Sequence, residues 1–114
     1  MSLAITKRQH GIVTILDLKG KIRLGEDVAR FREALRESIA NGQTKLLLNL
    51  AEVDFIDSSG LGELVSTHVS ISRNGGQIKL ANLSEKVQNL LVITKLYTVF
   101  EVYTREVFGV ISFD

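Results

Sequence analysis

The spacing of apolar and polar residues changes period along the chain and sets out a series of elements. Leu3 to Arg8 reads as a first strand, and Gln9-His10-Gly11 as a tight turn in which glycine supplies a positive φ. Ile12 to Leu18 (IVTILDL) is β-branched and apolar on both faces, as in an interior strand covered from both sides. Gly20 is expected to break it. From Glu26 to Ala40 the period shifts. Val28, Phe31, Leu35 and Ile39 recur at steps of three and four, with arginines and glutamates filling the other face. That is an amphipathic helix, and Asn41-Gly42 supplies its stop.

Lys45 to Leu50 (KLLLNL) is too short for a helix and too apolar for an edge, so it reads as a central strand, running loosely on through AEVDFID. A second helix spans Ser58 to Arg73, with Leu61, Leu64, Val65, Val69 and Ile71 as its apolar positions, and Asn74-Gly75-Gly76 closes it. Gln77 to Ala81 is the next strand. Ser84 is placed to cap a third helix that turns Val87, Leu90 and Leu91 inward. Phe100 to Tyr103 forms a last strand, and Thr104 is expected to cap a final helix with Val107 and Ile111 inward. The order ββαβαβαβα predicts a single α/β domain. Its central sheet is mixed: an antiparallel opening hairpin followed by parallel strands joined by helical crossovers.

Composition narrows the function classes. One domain fits 114 residues, and the chain has no cysteine, so disulfide frameworks, thiolate metal sites and cysteine nucleophiles are excluded. Net charge is +1 with no dense basic block, which argues against nucleic-acid binding. The apolar runs are far below the ~20 residues of a membrane span, so no membrane insertion is expected. The start of the chain lacks the apolar stretch of a signal peptide, and a cytoplasmic protein is expected.

The chemistry concentrates in DFIDSSGLG, residues 54–62, where a strand hands over to a helix. A hydrolase elbow needs glycine two residues before the serine, but Asp57 and Ile56 precede Ser58. The histidines are His10, in the first turn, and His68, beside the apolar stripe of the second helix, so neither is placed as a base. The P-loop and dinucleotide fingerprints are absent, and no cofactor is expected. A receiver-type Asp57 lacks the extra carboxylates that would hold Mg²⁺, the first two strands offering only Asp17. Scattered acids and two separated histidines show no metal-ligand spacing. An enzyme is therefore not expected.

A helix cap accounts for part of the stretch. One hydroxyl, from Ser58 or more naturally Ser59, is worth about 0.5–2 kcal/mol. A cap does not explain the second serine, Asp57, or the glycines at 60 and 62. Each glycine costs about 1 kcal/mol in a helix. Access for another protein to a serine is one reason to keep them.

The segment LLLNLAEVDFIDSSGLGEL resembles the centre of STAS domains, the sulfate transporter and anti-sigma factor antagonist family. VTILDLKGKI is similar to that family's second strand, and QIKLANLSEKVQNLLVITKLYTVFEVY to its fourth strand, third helix and last strand. The resemblance spans essentially the whole chain and is strongest to anti-sigma factor antagonists without a fused transporter or sensor domain. It implies that Ser58, the first serine of D-S-S/T-G-L, is phosphorylated by a partner anti-sigma factor that is a serine kinase. The unmodified protein would bind that kinase and free a sigma factor, and a serine phosphatase would reset the cycle. Asp57, Ser59, Gly60, Leu61 and Gly62 would then lie on the partner-binding surface. Arg23 stands where the family often carries an acid near the switch serine, so it is expected to influence partner choice. The competing expectation is an unphosphorylated scaffold, for example a docking subunit of a transport ATPase, in which Ser58 is only a cap.

Overall fold

A computed structural model describes residues 3–113. Its first two strands, β1 (Ala4–His10) and β2 (Val13–Ile22), form an antiparallel hairpin. Gly11, at φ 59°, makes the turn, and Ile12 is left exposed outside both strands. Gly20 does not end β2. At φ 115° it sits where the pairing with the next strand shifts register, and the strand continues to a fully buried Ile22. A glycine inside a strand pattern marked an irregularity rather than a stop.

Helix α1 (Glu26–Ala40) leads to β3 (Lys45–Ile56), which pairs in parallel with β2. Then come α2 (Ser58–Arg73), β4 (Gln77–Ala81), α3 (Glu85–Ile93), a 3-10 turn at Leu96–Thr98, β5 (Val102–Tyr103) and α4 (Glu106–Ile111). The sheet order is β1-β2-β3-β4-β5, with parallel pairing from β2 through β5, so the mixed sheet and the order ββαβαβαβα are those expected.

Alternation along the strands builds two layers of core. On one face Leu16, Leu18, Leu46, Leu48 and Leu80 meet Phe31 and Leu35 of α1, Leu61, Leu64 and Ile71 of α2, and Val87 and Leu91 of α3. On the other face Val13, Ile15, Leu47 and Ala81 meet Phe113 and Val110 at the end of α4. The KLLLNL run is thus buried on both sides, as a central strand must be.

The last elements depart from expectation. Val107 and Ile111 are exposed, and the sheet-facing side of α4 carries Gly109 and Val110 instead. A Cβ on Gly109 would lie 2.9 Å from Leu47 Cδ1, so a larger residue here would force the Leu47 side chain or the helix to shift. Arg105, not Thr104, occupies the N-cap of α4, and its side chain makes no cap bond. Val69 of α2 also faces outward. Ser84 caps α3 as predicted, accepting from the Val87 N–H, and its own hydroxyl donates to the Val53 carbonyl at 2.7 Å.

Candidate functional site

Strand β3 ends at Ile56, and the next residue terminates one element and starts another. Asp57 is the N-cap of α2, in extended conformation (φ −96°, ψ −177°). Its Oδ1 accepts from the Ser59 N–H and the Gly60 N–H, each at 3.0 Å, and from the Ser59 hydroxyl at 2.5 Å. Its Oδ2 accepts from the Leu24 N–H at 2.8 Å, across 33 residues of sequence. The Asp57 N–H donates to the Ile22 carbonyl at 3.2 Å. One carboxylate therefore satisfies two orphan donors of the helix and ties the β2–α1 loop to the start of α2. The Ser59 hydroxyl, followed by the Leu24 N–H and the two helix amides, holds the Asp57 carboxyl down at a pKa of about 2, against the opposing effect of burial.

This corrects the capping expectation. Ser59 is not the cap; its hydroxyl donates to the carboxylate that is. Aspartate is as good an N-cap residue as serine, and Asp57 was already in position by spacing. Ser58, the first residue of the helix, is exposed, and among the described residues its hydroxyl has no hydrogen-bond partner.

The two glycines do different work. A Cβ on Gly60 would meet Ile56 Cγ1 at 2.7 Å and Ile22 Cγ2 at 2.9 Å, with the Ile22 carbonyl oxygen at 3.2 Å. Gly60 thus lets α2 lie against the ends of β2 and β3. A Cβ on Gly62 would meet nothing within 4 Å. The openness at this helix start is therefore supplied by Gly62 and not by Gly60. Leu61 points inward and is 7% exposed, so it contributes to the core that carries the site.

Arg23 lies beside Leu24 in the tethered loop. Its backbone N–H and its Nε donate to Asp27 Oδ2 at 3.2 and 3.1 Å. Burial would raise the Asp27 pKa, but Arg23 and the Leu3 N–H together more than offset this and hold the carboxyl below its ordinary value. Arg23 is thus a partly exposed cation in the loop that meets the start of α2.

Two exposed apolar side chains at this end of the sheet escaped the sequence reading. Leu24 is 78% exposed on the tethered loop, and Phe55 is 43% exposed near the end of β3, with the Lys21 ammonium 5.8 Å from its ring centre. Leu24 sits in a polar, glycine-containing loop without periodicity, and nothing local connects it to Asp57. Phe55 lies where the register shifts break the β3 alternation, with Asp54 exposed beside it and Val53 buried, so periodicity gave no signal for it.

His68 packs edge-on against Phe100, with ring centres 5.4 Å apart, and its Nδ1 is buried without a partner. His10 ends β1. Among the described residues no group of three or more histidines or acids could hold a metal ion, and no helix is long and apolar enough to cross a membrane.

Comparison with known proteins places this geometry. Over 109 residues the chain is 29% identical to an anti-sigma F factor antagonist of Paenibacillus polymyxa, covering 94% of this chain and 92% of that protein. It is 35% identical to the anti-sigma-B factor antagonist of Bacillus subtilis over 79 residues, 67% of this chain and 72% of the other. The crystal structure of a provisionally assigned anti-sigma factor antagonist of Thermotoga maritima superposes with a TM-score of 0.88, at 27% identity and covering 95% of this chain and 92% of that one. The STAS domain model matches residues 4–108, and with the fold described above this chain belongs to the STAS domain family.

Proposed function

We propose that this chain is an anti-sigma factor antagonist, and that phosphorylation of Ser58 by its anti-sigma partner switches off binding to that partner. The observation that carries the proposal is the division of labour at the start of α2. Asp57 and Ser59 are consumed by the cap, whereas Ser58 is exposed and free. The relatives named as anti-sigma factor antagonists supply the partner class.

In this reading the unmodified protein docks through the outer side of the α2 start and the tethered β2–α1 loop. Leu24 and Phe55 provide apolar contact, and Arg23 provides charge. The docked anti-sigma kinase transfers a phosphoryl group to the Ser58 oxygen, and a serine phosphatase later removes it. Phosphoserine carries about −1.5 to −2 charge at neutral pH. It arrives next to Asp57, which stays ionised and already occupies the Ser59 and Gly60 amides. The helix dipole still favours an anion there by about 0.3–1 kcal/mol, so the fold survives. The interface, which must desolvate the dianion beside a second carboxylate, does not. A 100-fold weakening requires only about 2.7 kcal/mol.

The test is phosphorylation by the cognate kinase with ATP, followed by mapping the site. Label on Ser58 is expected; label on Ser59 or Thr67, or none, would overturn the assignment. Ser58→Ala is expected to bind the kinase and Ser58→Asp to bind it poorly. Equal binding by both would remove the electrostatic mechanism.

A further inference from the structure

The β1 edge of the sheet carries a second surface that shares no residue with the 57–62 stretch. Strand β1 is the edge of the sheet, and its register with β2 runs unbroken from Ala4↔Lys19 to His10↔Val13. Exposed edges are ordinarily blunted by bulges, prolines or projecting charges. Here the strand has no bulge, the chain has no proline, and the exposed cations Lys7 and Arg8 each bond a side chain of their own domain. Lys7 Nζ donates to Gln43 Oε1 at 2.8 Å. Arg8 lies on the α4 side of the sheet, where it donates to Asp17 at 2.8 Å and reaches Glu106. What remains is a regular seven-residue edge.

Beside it, between β1 and α1, runs a groove of about 540 Å³. Its apolar lining is Ile5, Leu16, Ala29 and Ala34. Two small residues on α1 leave room under the helix for a side chain from an added strand. Of the acids on its wall, Glu26 is paired with Arg30 at 3.0 Å. Glu33 and Glu37, one turn apart, form no ion pair among the described residues. The cations Lys7 and Arg30 line it too, Arg30 answering Glu26 and Lys7 bonded to the neutral Gln43, so Glu33 and Glu37 are the acids left for a strand whose side chains on this face are apolar and basic.

Strand β1 is itself such a strand, since Ile5 and Lys7 are the residues it turns toward α1. We propose that a second copy of this chain adds its β1 antiparallel to the free edge, with Thr6 of one copy opposite Thr6 of the other. This register sets Ile5 of each copy against Lys7 of the other. The Lys7 stem then covers Ile5, and its ammonium enters the groove toward Glu33 and Glu37. The two-fold axis repeats every contact and joins two five-stranded sheets into one of ten.

The experiment is sedimentation equilibrium of the full chain from micromolar to millimolar concentration. A monomer–dimer equilibrium is expected. Lys7→Glu alone, or Glu33→Lys with Glu37→Lys, should each weaken it by about tenfold or more, because each sets like charges against each other. Mixing the two variants should restore pairing, because both halves of the mixed interface regain opposite charges. Thermal melts of each variant separate lost pairing from lost folding. A chain that stays monomeric throughout, a dimer indifferent to both reversals, or a mixture that does not recover would each overturn the proposal. A monomer that binds an added apolar–basic peptide along β1 would likewise replace the second copy with another occupant.

Discussion

The inner and outer sides of the α2 start lie within six residues of each other and are built to opposite requirements. On the inner side, Asp57, Ser59, Gly60 and Leu61 are fully committed: carboxylate to amides, hydroxyl to carboxylate, glycine against Ile56 and Ile22, leucine into the core. On the outer side Ser58 and Gly62 are exposed, with open space around Gly62, and Leu24 projects from a loop whose backbone is held by the inner side. Under the proposed switch, a group added on the outer side meets a frame already bonded from within, so its effect is expected to fall on what binds and not on what folds.

The strongest way to break the inner side is Gly60→Ala. The new Cβ would collide with Ile56 and Ile22 and approach the Ile22 backbone. We expect a loss of about 1–3 kcal/mol, the usual range for overpacking, read as a lower denaturation midpoint. Wild-type stability would mean that α2 is not pressed onto the strand ends. Next comes Asp57→Ala, which removes the cap and leaves the Leu24 N–H unpaired; a loss of about 0.5–2 kcal/mol is expected in urea unfolding. It should also weaken kinase binding, because the β2–α1 loop loses its tether.

Acid unfolding sharpens the same contrast. The folded Asp57 pKa, about 2, lies below its ordinary value of 3.8. Its contribution is therefore complete above about pH 4 and is lost as pH falls toward 2. Asp17 and Asp27 are depressed as well, Asp17 chiefly by its bond to Arg8, so both are expected to add to the loss of stability at low pH. The difference between wild type and Asp57→Asn isolates the cap: it should shrink between pH 4 and pH 2 and stay flat between pH 5 and 7. The smallest effect belongs to the outer glycine. Gly62→Ala meets no atom and removes an exposed helix glycine, so a gain of about 0.5–1 kcal/mol is expected. If Gly62 provides access, that stabilised variant should still be a poorer kinase substrate. Unchanged phosphorylation would assign the glycine no part in docking.

Most of the fold was legible because its elements are long and their periods distinct. Phe31 and Leu35 of α1 and the doubly buried KLLLNL strand lie where alternation placed them. Legibility failed where packing overrode local pattern. After Glu106 the remaining five residues of α4 are all apolar or glycine, so spacing could not choose between Val107 with Ile111 and Gly109 with Val110. The choice was made by Leu47, more than sixty residues away, against which glycine packs without a shift. Gly20 read as a break because a bulge is invisible without the partner strand. Within the site, the D-S-S-G-L stretch pointed to Ser58 through the family resemblance, and the Asp57 cap is a local arrangement that its spacing allowed; the tether from Leu24 to Asp57 has no signature in either segment.

The most direct measurement compares unmodified and Ser58-phosphorylated protein, determining for each both the affinity for the anti-sigma kinase and the melting temperature. The account predicts that affinity falls about 100-fold, a change of about 2.7 kcal/mol, while the melting temperature moves by no more than a few degrees. Unchanged affinity, or an affinity loss matched by a collapse of thermal stability, would contradict a switch that acts on the outer side of a fixed frame.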